Sequence, residues 1–148
     1  MCCPPGGVPG ARPGMRKDRM ERARLLVVDD DSRIRSAVCR WLANAGFEVD
    51  LATDGYEAVE MCGENPYDLV TMDLEMPGMN GVDAIPRVLA LQPGLPVLVL
   101  SAYHPRACEA LHVGATKLLR KPIRLARLEQ EIRSILDAGE LLPARKAG

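Results

Sequence analysis

The stretch that most constrains the fold is a short apolar run that ends in an acidic residue and leads directly into a loop. Residues 69–72, Leu-Val-Thr-Met, favour a β-strand and suit one that is buried on both faces. Asp73 follows at the end of this run. Pro77, Gly78 and Gly81 then interrupt regular structure, because proline lacks a backbone donor and glycine adopts conformations closed to other residues. Since α/β proteins present reactive groups where a buried strand ends in a loop, Asp73 is the first candidate site residue.

The rest of the chain repeats an alternation of apolar runs and amphipathic helical patterns. The predicted strands are residues 25–28, 47–52, 69–73, 96–102 and 116–120. Asp31 is expected to cap the first helix, Trp41 to lie on its apolar stripe, and Pro86 to kink or shorten the third helix. Repeated β-α units require right-handed crossovers and a parallel sheet covered on both sides. We therefore predict an α/β fold with a doubly wound, five-stranded parallel sheet.

Composition limits the domain organisation and the class of protein. The 148 residues leave room for one domain with tails. We predict a disordered N-terminal tail, rich in Pro and Gly and then basic, at residues 1–23, a domain at 24–138 and a C-terminal tail at 139–148. A net charge of -1 favours neither nucleic acid nor a membrane as partner. Without a long apolar run or a signal-peptide core, a cytoplasmic location is expected.

Polar groups gather at one edge of the predicted sheet, because the carboxyl ends of parallel strands meet there. The set comprises Asp29, Asp30, Asp73, Ser101 and Lys121. Three neighbouring carboxylates resist ionising together, and a divalent cation removes that conflict. Oxygen ligands without His or Cys favour a hard ion, and Mg²⁺ is expected because it tolerates several waters and a phosphate oxygen. Cation, ammonium and hydroxyl would together hold a transferring phosphoryl group, with a carboxylate as the nucleophile.

Four sequence blocks resemble the receiver domain of two-component response regulators. They are Leu-Leu-Val-Val-Asp-Asp-Asp at residues 25–31, Met-Asp-Leu-Glu-Met-Pro-Gly-Met-Asn-Gly at 72–81, Leu-Ser-Ala at 100–102 and Arg-Lys-Pro at 120–122. All four occur in order and at receiver-like spacing, and the resemblance covers residues 24–138. It implies a flavodoxin-like fold with strand order 2-1-3-4-5.

The resemblance implies a role for each residue of the phosphoryl site. Asp73 would be the phosphoacceptor, while the Ser101 hydroxyl and the Lys121 ammonium would contact the phosphoryl oxygens. The bond between Lys121 and Pro122 is expected to be cis. Receiver domains usually carry an aromatic residue at the position of Leu118, so any coupling to the output face would here involve a smaller packing shift.

The resemblance also implies a metal site. Asp30 and Asp73 would bind Mg²⁺ through their carboxylates and Glu75 through its backbone carbonyl, while Asp29 would act largely through water. Glu75 and Tyr103 are expected to flank the path of the water that hydrolyses the acyl phosphate. Our hypothesis is that these two residues set the lifetime of the phosphorylated state.

The implied function is a phosphorylation-dependent switch of the single-domain type, not an enzyme beyond promoting its own phosphorylation and dephosphorylation. It would receive the phosphoryl group on Asp73 from a sensor histidine kinase or a histidine phosphotransfer protein. It would signal by protein–protein contacts through the face formed by the fourth helix, fifth strand and last helix, without contacting nucleic acid or membrane. Two alternatives stay open: an unphosphorylated docking module, and an aspartyl-phosphate phosphatase with Glu75 as general acid.

Overall fold

The computed structural model describes residues 23–76, 78–102 and 105–141, in which strands and helices alternate. The strands are Arg24–Val28 (β1), Glu48–Ala52 (β2), Leu69–Asp73 (β3), Val97–Ser101 (β4) and Lys117–Arg120 (β5). The helices are Ser32–Asn44 (α1), Gly55–Glu64 (α2), Gly81–Leu91 (α3), Ala107–His112 (α4) and Leu125–Leu141 (α5). The predicted alternation is confirmed.

The strands form one parallel sheet in the order β2-β1-β3-β4-β5. This is the flavodoxin-like order that the resemblance implied, and the fold class is confirmed. The order reverses beside β1, so β1 and β3 lie next to each other in the middle of the sheet. Their carboxyl ends are therefore adjacent, and this is where ligands bind in open α/β sheets.

Side chains that alternate along the strands build a core on each face of the sheet. In β1, Leu25 and Val27 point to one face and Leu26 and Val28 to the other, and all four are buried. Helices α1 and α5 cover the first face, and α2, α3 and α4 cover the second. Strands β3 and β4 are buried along their whole length, as expected for strands covered on both sides.

One expectation about the helices is wrong, and a second is wrong in part: α3 does not have a shortened start, while a kink at Pro86 stays a prediction. Trp41 does not face the core: its side chain is 40% exposed, and its indole Nε1–H donates to Glu129 Oε1 of α5 at 2.8 Å. The indole has one polar atom, and this ion-rich surface provides the acceptor for it. Pro86 does not shorten α3, because the helix begins at Gly81, where the Asn80 side chain caps it by accepting from the Asp83 N–H.

The predicted tails are only partly within the described residues. Ala23, assigned to the N-terminal tail, is instead buried, and its carbonyl accepts a hydrogen bond from the Glu48 N–H at 3.0 Å. Helix α5 extends to Leu141, beyond the predicted domain end at residue 138. Residues 1–22, 77, 103–104 and 142–148 lie outside the described residues. In the described parts of the chain, no helix combines the length and apolar character needed to cross a membrane.

Candidate functional site

The predicted site residues come together at the carboxyl edge of the sheet. In the pairing of β1 with β3, Val28 lies opposite Met72. The next residues, Asp29 after β1 and Asp73 at the end of β3, therefore lie side by side at the edge of the sheet. Ser101 ends β4, and the backbone N–H of Lys121, directly after β5, donates to the Ser101 carbonyl at 2.9 Å. Groups from four strands therefore share one site, although more than 90 positions separate the first from the last in the sequence.

Three carboxylates form an acidic cluster in this site. Asp29 and Asp73 are 3% and 2% exposed, whereas Asp30 is exposed to solvent. One carboxylate oxygen from each residue lies within 4.8 Å of the others, a spacing at which all three could ligate one metal ion. The donors are all oxygen, which suits a hard cation, and the exposed Asp30 leaves room for the water ligands that Mg²⁺ retains. The residues present therefore fit a magnesium ion.

Lys121 bridges the two buried carboxylates. Its Nζ lies 3.2 Å from Asp29 Oδ2 and 3.3 Å from Asp73 Oδ1. Burial alone lowers the pKa of this ammonium group, but the charges and hydrogen bonds of Asp73 and Asp29 outweigh burial and raise the pKa above its ordinary value. Lys121 is therefore a fixed positive charge beside Asp73.

The pKa of Asp73 is raised to about 7. The largest cause is burial, which removes water from the carboxylate, and the negative charge of Asp29 acts in the same direction. The Lys121 ammonium and the Glu75 backbone N–H lower the pKa, but not enough to compensate. The site thus contains a carboxylate whose charged form is disfavoured by burial, and groups with such shifted pKa values are common at functional sites.

Glu75 and Ser101 are in direct contact, which sequence reasoning did not foresee. The Ser101 hydroxyl donates to Glu75 Oε2 at 2.8 Å, and the Glu75 backbone N–H donates to Asp73 Oδ1 at 3.2 Å. The sequence indicates a role for each of the two residues, but the two roles are separate. Nothing in the spacing of two residues 26 positions apart could indicate the contact.

Asp29 is held by contacts that the sequence also did not reveal. Its backbone carbonyl accepts from Arg35 Nη1 at 2.9 Å, and its Oδ1 accepts from the Asp31 N–H at 2.9 Å. Asp31 in turn caps α1 by accepting from the Arg33 N–H, as predicted. The only sequence signal for Arg35 was its place in the first turns of the helix that follows the acidic run.

The loop after β3 is anchored by buried side chains. Leu74, Met76 and Met79 all pack into the core on the face of the sheet that α2, α3 and α4 cover. Gly78 has a φ of 76°, which explains why glycine is needed there. Gly81 does not adopt such a φ, contrary to expectation; instead, a Cβ at this position would lie 2.7 Å from the Asp73 carbonyl oxygen. Gly81 therefore allows the start of α3 to approach the end of β3.

One further expectation from the resemblance is confirmed. The peptide bond between Lys121 and Pro122 is cis. Leu118 stands where receiver domains usually carry an aromatic residue; it is partly buried and packs against the core on the face covered by α2, α3 and α4. Tyr103, the other residue proposed to set the lifetime, lies outside the described residues.

Comparison with known proteins agrees with this fold. The sequence family described as the response regulator receiver domain matches residues 25–133. The chain belongs to this family. The receiver domain is 37% identical over 115 residues to the chemotaxis protein CheY of Thermotoga maritima, covering 76% of this chain and 96% of that protein. It also superimposes on the chemotaxis protein CheY4 of Vibrio cholerae with a TM-score of 0.71 and 32% identity, covering 76% and 98% of the two chains.

Other similar proteins include a much longer one and one of comparable length. It is 38% identical over 104 residues to a protein-glutamate methylesterase/protein-glutamine glutaminase of Caulobacter vibrioides, covering 67% of this chain but only 30% of that protein. A receiver domain from Methanospirillum hungatei matches with a TM-score of 0.78 and 26% identity, covering 80% and 97% of the two chains. The chain is thus a receiver domain of phosphorylation-dependent two-component signalling, and it covers 96% of the Thermotoga protein but 30% of the Caulobacter protein.

Proposed function

We propose that this receiver domain accepts a phosphoryl group on Asp73 from a phosphorylated histidine of a sensor kinase or phosphotransfer protein. The observation that carries this proposal is the position of Asp73: it is 2% exposed, 3.3 Å from the Lys121 ammonium, and part of a three-carboxylate cluster at the carboxyl edge of the sheet. A buried carboxylate in such a setting matches the use of Asp as a nucleophile in aspartyl-phosphate chemistry.

In the proposed reaction, a carboxylate oxygen of Asp73 forms a bond to phosphorus. The bond between phosphorus and the imidazole nitrogen of the donor breaks, and the nitrogen keeps the electron pair. Lys121 places a positive charge beside the acceptor, so it would stabilise the negative charge on the transferring group. The products are an acyl phosphate on this chain and an unmodified histidine on the donor.

Asp29, Asp30 and Asp73 would hold Mg²⁺ with the backbone carbonyl of Glu75. When bound, the cation supplies positive charge that reduces carboxylate repulsion and stabilises phosphoryl oxygens. Asp30 is the exposed member of the cluster and is suited to contact the ion directly. Both Asp29 oxygens already accept bonds, from Lys121 and from the Asp31 N–H, which supports a water-mediated role for this residue.

We propose that phosphorylation is read by a protein partner on the α4-β5-α5 face. This face carries mixed charges, many of them in ion pairs: Lys117 Nζ and Arg127 Nε lie 2.6 Å and 2.9 Å from the two Glu131 oxygens. Arg106 Nε lies 2.8 Å from Glu109. The Arg106–Glu109 pair is exposed, and pairs of this kind contribute little to stability, so a partner of complementary charge could replace it at small cost.

Incubation with acetyl phosphate and Mg²⁺, followed by intact-mass spectrometry, tests the phosphorylation proposal. We expect one added phosphoryl group on the wild-type chain and none on Asp73→Asn, with Glu60→Gln, an exposed carboxylate on α2, as a matched control that labels normally. Normal labelling of Asp73→Asn would refute the assignment. Turnover of many equivalents of donor would indicate a phosphatase, and absence of labelling in the wild type a docking module.

A further inference from the structure

We propose that Glu75 is a positioning residue that holds the Ser101 hydroxyl in the unphosphorylated protein and must release it before Ser101 can contact a phosphoryl group on Asp73. This inference rests on the proposed function, because it concerns the state of the same site before phosphorylation. It assigns to Glu75 a task that differs from guiding a hydrolytic water.

The hydrogen bond between Ser101 and Glu75 excludes any other acceptor for the Ser101 hydroxyl proton. The distance from Ser101 Oγ to Glu75 Oε2 is 2.8 Å, which is within the range for a hydroxyl donating to a carboxylate. A serine hydroxyl has one proton, so it donates to one acceptor at a time. Ser101 is 4% exposed, and its hydroxyl is therefore not freely exchanged between Glu75 and bulk water. A phosphoryl oxygen on Asp73 would have to compete with Glu75 for the same proton.

Phosphorylation would weaken the Glu75 contact as well as compete with it. The Glu75 backbone N–H donates to Asp73 Oδ1 at 3.2 Å, so the position of Glu75 depends directly on the Asp73 carboxylate, which would carry the phosphoryl group. A phosphoryl group adds about -1.5 to -2 charges at neutral pH, and this charge would repel the Glu75 carboxylate. Competition for the Ser101 hydroxyl proton and repulsion of the Glu75 carboxylate both favour release of the Ser101 hydroxyl from Glu75.

Release of Ser101 would be transmitted along the sheet edge. The Ser101 carbonyl accepts from the Lys121 N–H at 2.9 Å, and Ser101 is the last residue of β4 before the connection to α4. A change at Ser101 is therefore placed to act on the segments that begin the α4-β5-α5 face. Because the hydrogen bond between Glu75 and Ser101 must break first, Glu75 determines how much of the free energy gained on phosphorylation is used to release Ser101.

The test is a double-mutant cycle with beryllium trifluoride, a phosphoryl mimic that does not hydrolyse, in the presence of Mg²⁺. The apparent dissociation constant is measured by NMR titration for the wild type, Glu75→Ala, Ser101→Ala and the double variant. We expect Glu75→Ala to bind the mimic about tenfold more tightly than the wild type. The same substitution should have a clearly smaller effect in the Ser101→Ala background, where only the repulsion between the Glu75 carboxylate and the anion is removed. Glu75→Gln, whose amide oxygen still accepts from Ser101, should fall between the wild type and Glu75→Ala.

An equal effect of Glu75→Ala in both backgrounds would overturn the inference, because Glu75 would then act on the anion without Ser101. No effect in either background would also overturn it. Glu60→Ala, which removes an exposed carboxylate on α2, is the matched control and should leave the dissociation constant unchanged. Failure of the proposed function has a different signature: the wild type itself would not bind the mimic, or Asp73→Ala would bind it equally well.

Discussion

Replacing Asp73 by Asn should stabilise the protein at alkaline pH when divalent cations are absent. Asp73 is buried beside Asp29, and these two causes raise its pKa from an ordinary value of 3.8 to about 7. The folded state therefore binds a proton more tightly than the unfolded state, and this contribution to stability is lost as the pH rises from about 4 through about 7. Asn occupies almost the same volume and is neutral throughout.

The magnitude follows from the pKa difference. About 3 pKa units at 1.36 kcal/mol each give a ceiling of ~4 kcal/mol for the advantage of Asn over the ionised Asp. Loss of one carboxylate partner of Lys121 opposes this gain, although Asp29 remains 3.2 Å from Lys121 Nζ. We therefore expect a net increase in the free energy of unfolding of about 1–3 kcal/mol at about pH 8, smaller by about 2 kcal/mol at about pH 5.5.

The assay is urea unfolding followed by circular dichroism, in buffer with a chelator, at a series of pH values. Glu60→Gln is the control, because it removes one exposed carboxylate from α2 and should show no comparable trend. The electrostatic explanation would be refuted if the stability difference between Asp73→Asn and the wild type were the same at every pH, or if the variant were less stable than the wild type at about pH 8.

Three further predictions concern the metal site and the packing around it. Mg²⁺ should raise the melting temperature of the wild type in a concentration-dependent way and have at most a weak effect on Asp30→Asn, as differential scanning fluorimetry would show; an equal rise in both would remove Asp30 from the metal site. Gly81→Ala should lower the free energy of unfolding by about 1–3 kcal/mol in urea, because its Cβ would lie 2.7 Å from the Asp73 carbonyl oxygen, whereas Gly63→Ala, where the nearest atom is 3.8 Å away, should not destabilise to that extent. Tyr67→Phe should lower the free energy of unfolding by about 0.5–1.5 kcal/mol, because it removes the hydroxyl that donates to Asp50 Oδ2 at 2.8 Å; unchanged stability would mean that this bond contributes nothing net.

Much of the site was accessible from sequence because it follows from a general property of parallel sheets. Asp29, Asp73 and Lys121 each follow or end a strand, and strands of a doubly wound sheet all deliver their carboxyl ends to one edge. The approach of Lys121 Nζ to within 3.3 Å of both carboxylates also depends on the strand order, which only the resemblance implied. Gathering these residues at one edge required only the strand positions and their parallel direction. The apolar runs and helical periods supplied both.

Other features depended on which distant side chains meet, and no local pattern encodes that. The helical period placed Trp41 on the apolar stripe of α1, yet Glu129, 88 positions away, holds its indole at the surface. Ser101 and Glu75 each had a role suggested by position, but their hydrogen bond exists only because β4 lies beside β3. The sequence suggested that Gly81 provides a backbone conformation closed to other residues. Glycine is instead needed there because a Cβ would lie too close to the Asp73 carbonyl oxygen.

Sequence was therefore sufficient for the strands, the helices, the edge at which the site forms and the residues gathered there, because backbone geometry imposes fixed periods and a fixed strand direction. Tertiary structure decided the partner of each side chain, the burial that raises the pKa of Asp73, and the contact between Glu75 and Ser101. These depend on distances of a few ångströms between segments far apart in the chain, and such distances are set only when the two cores pack against the sheet.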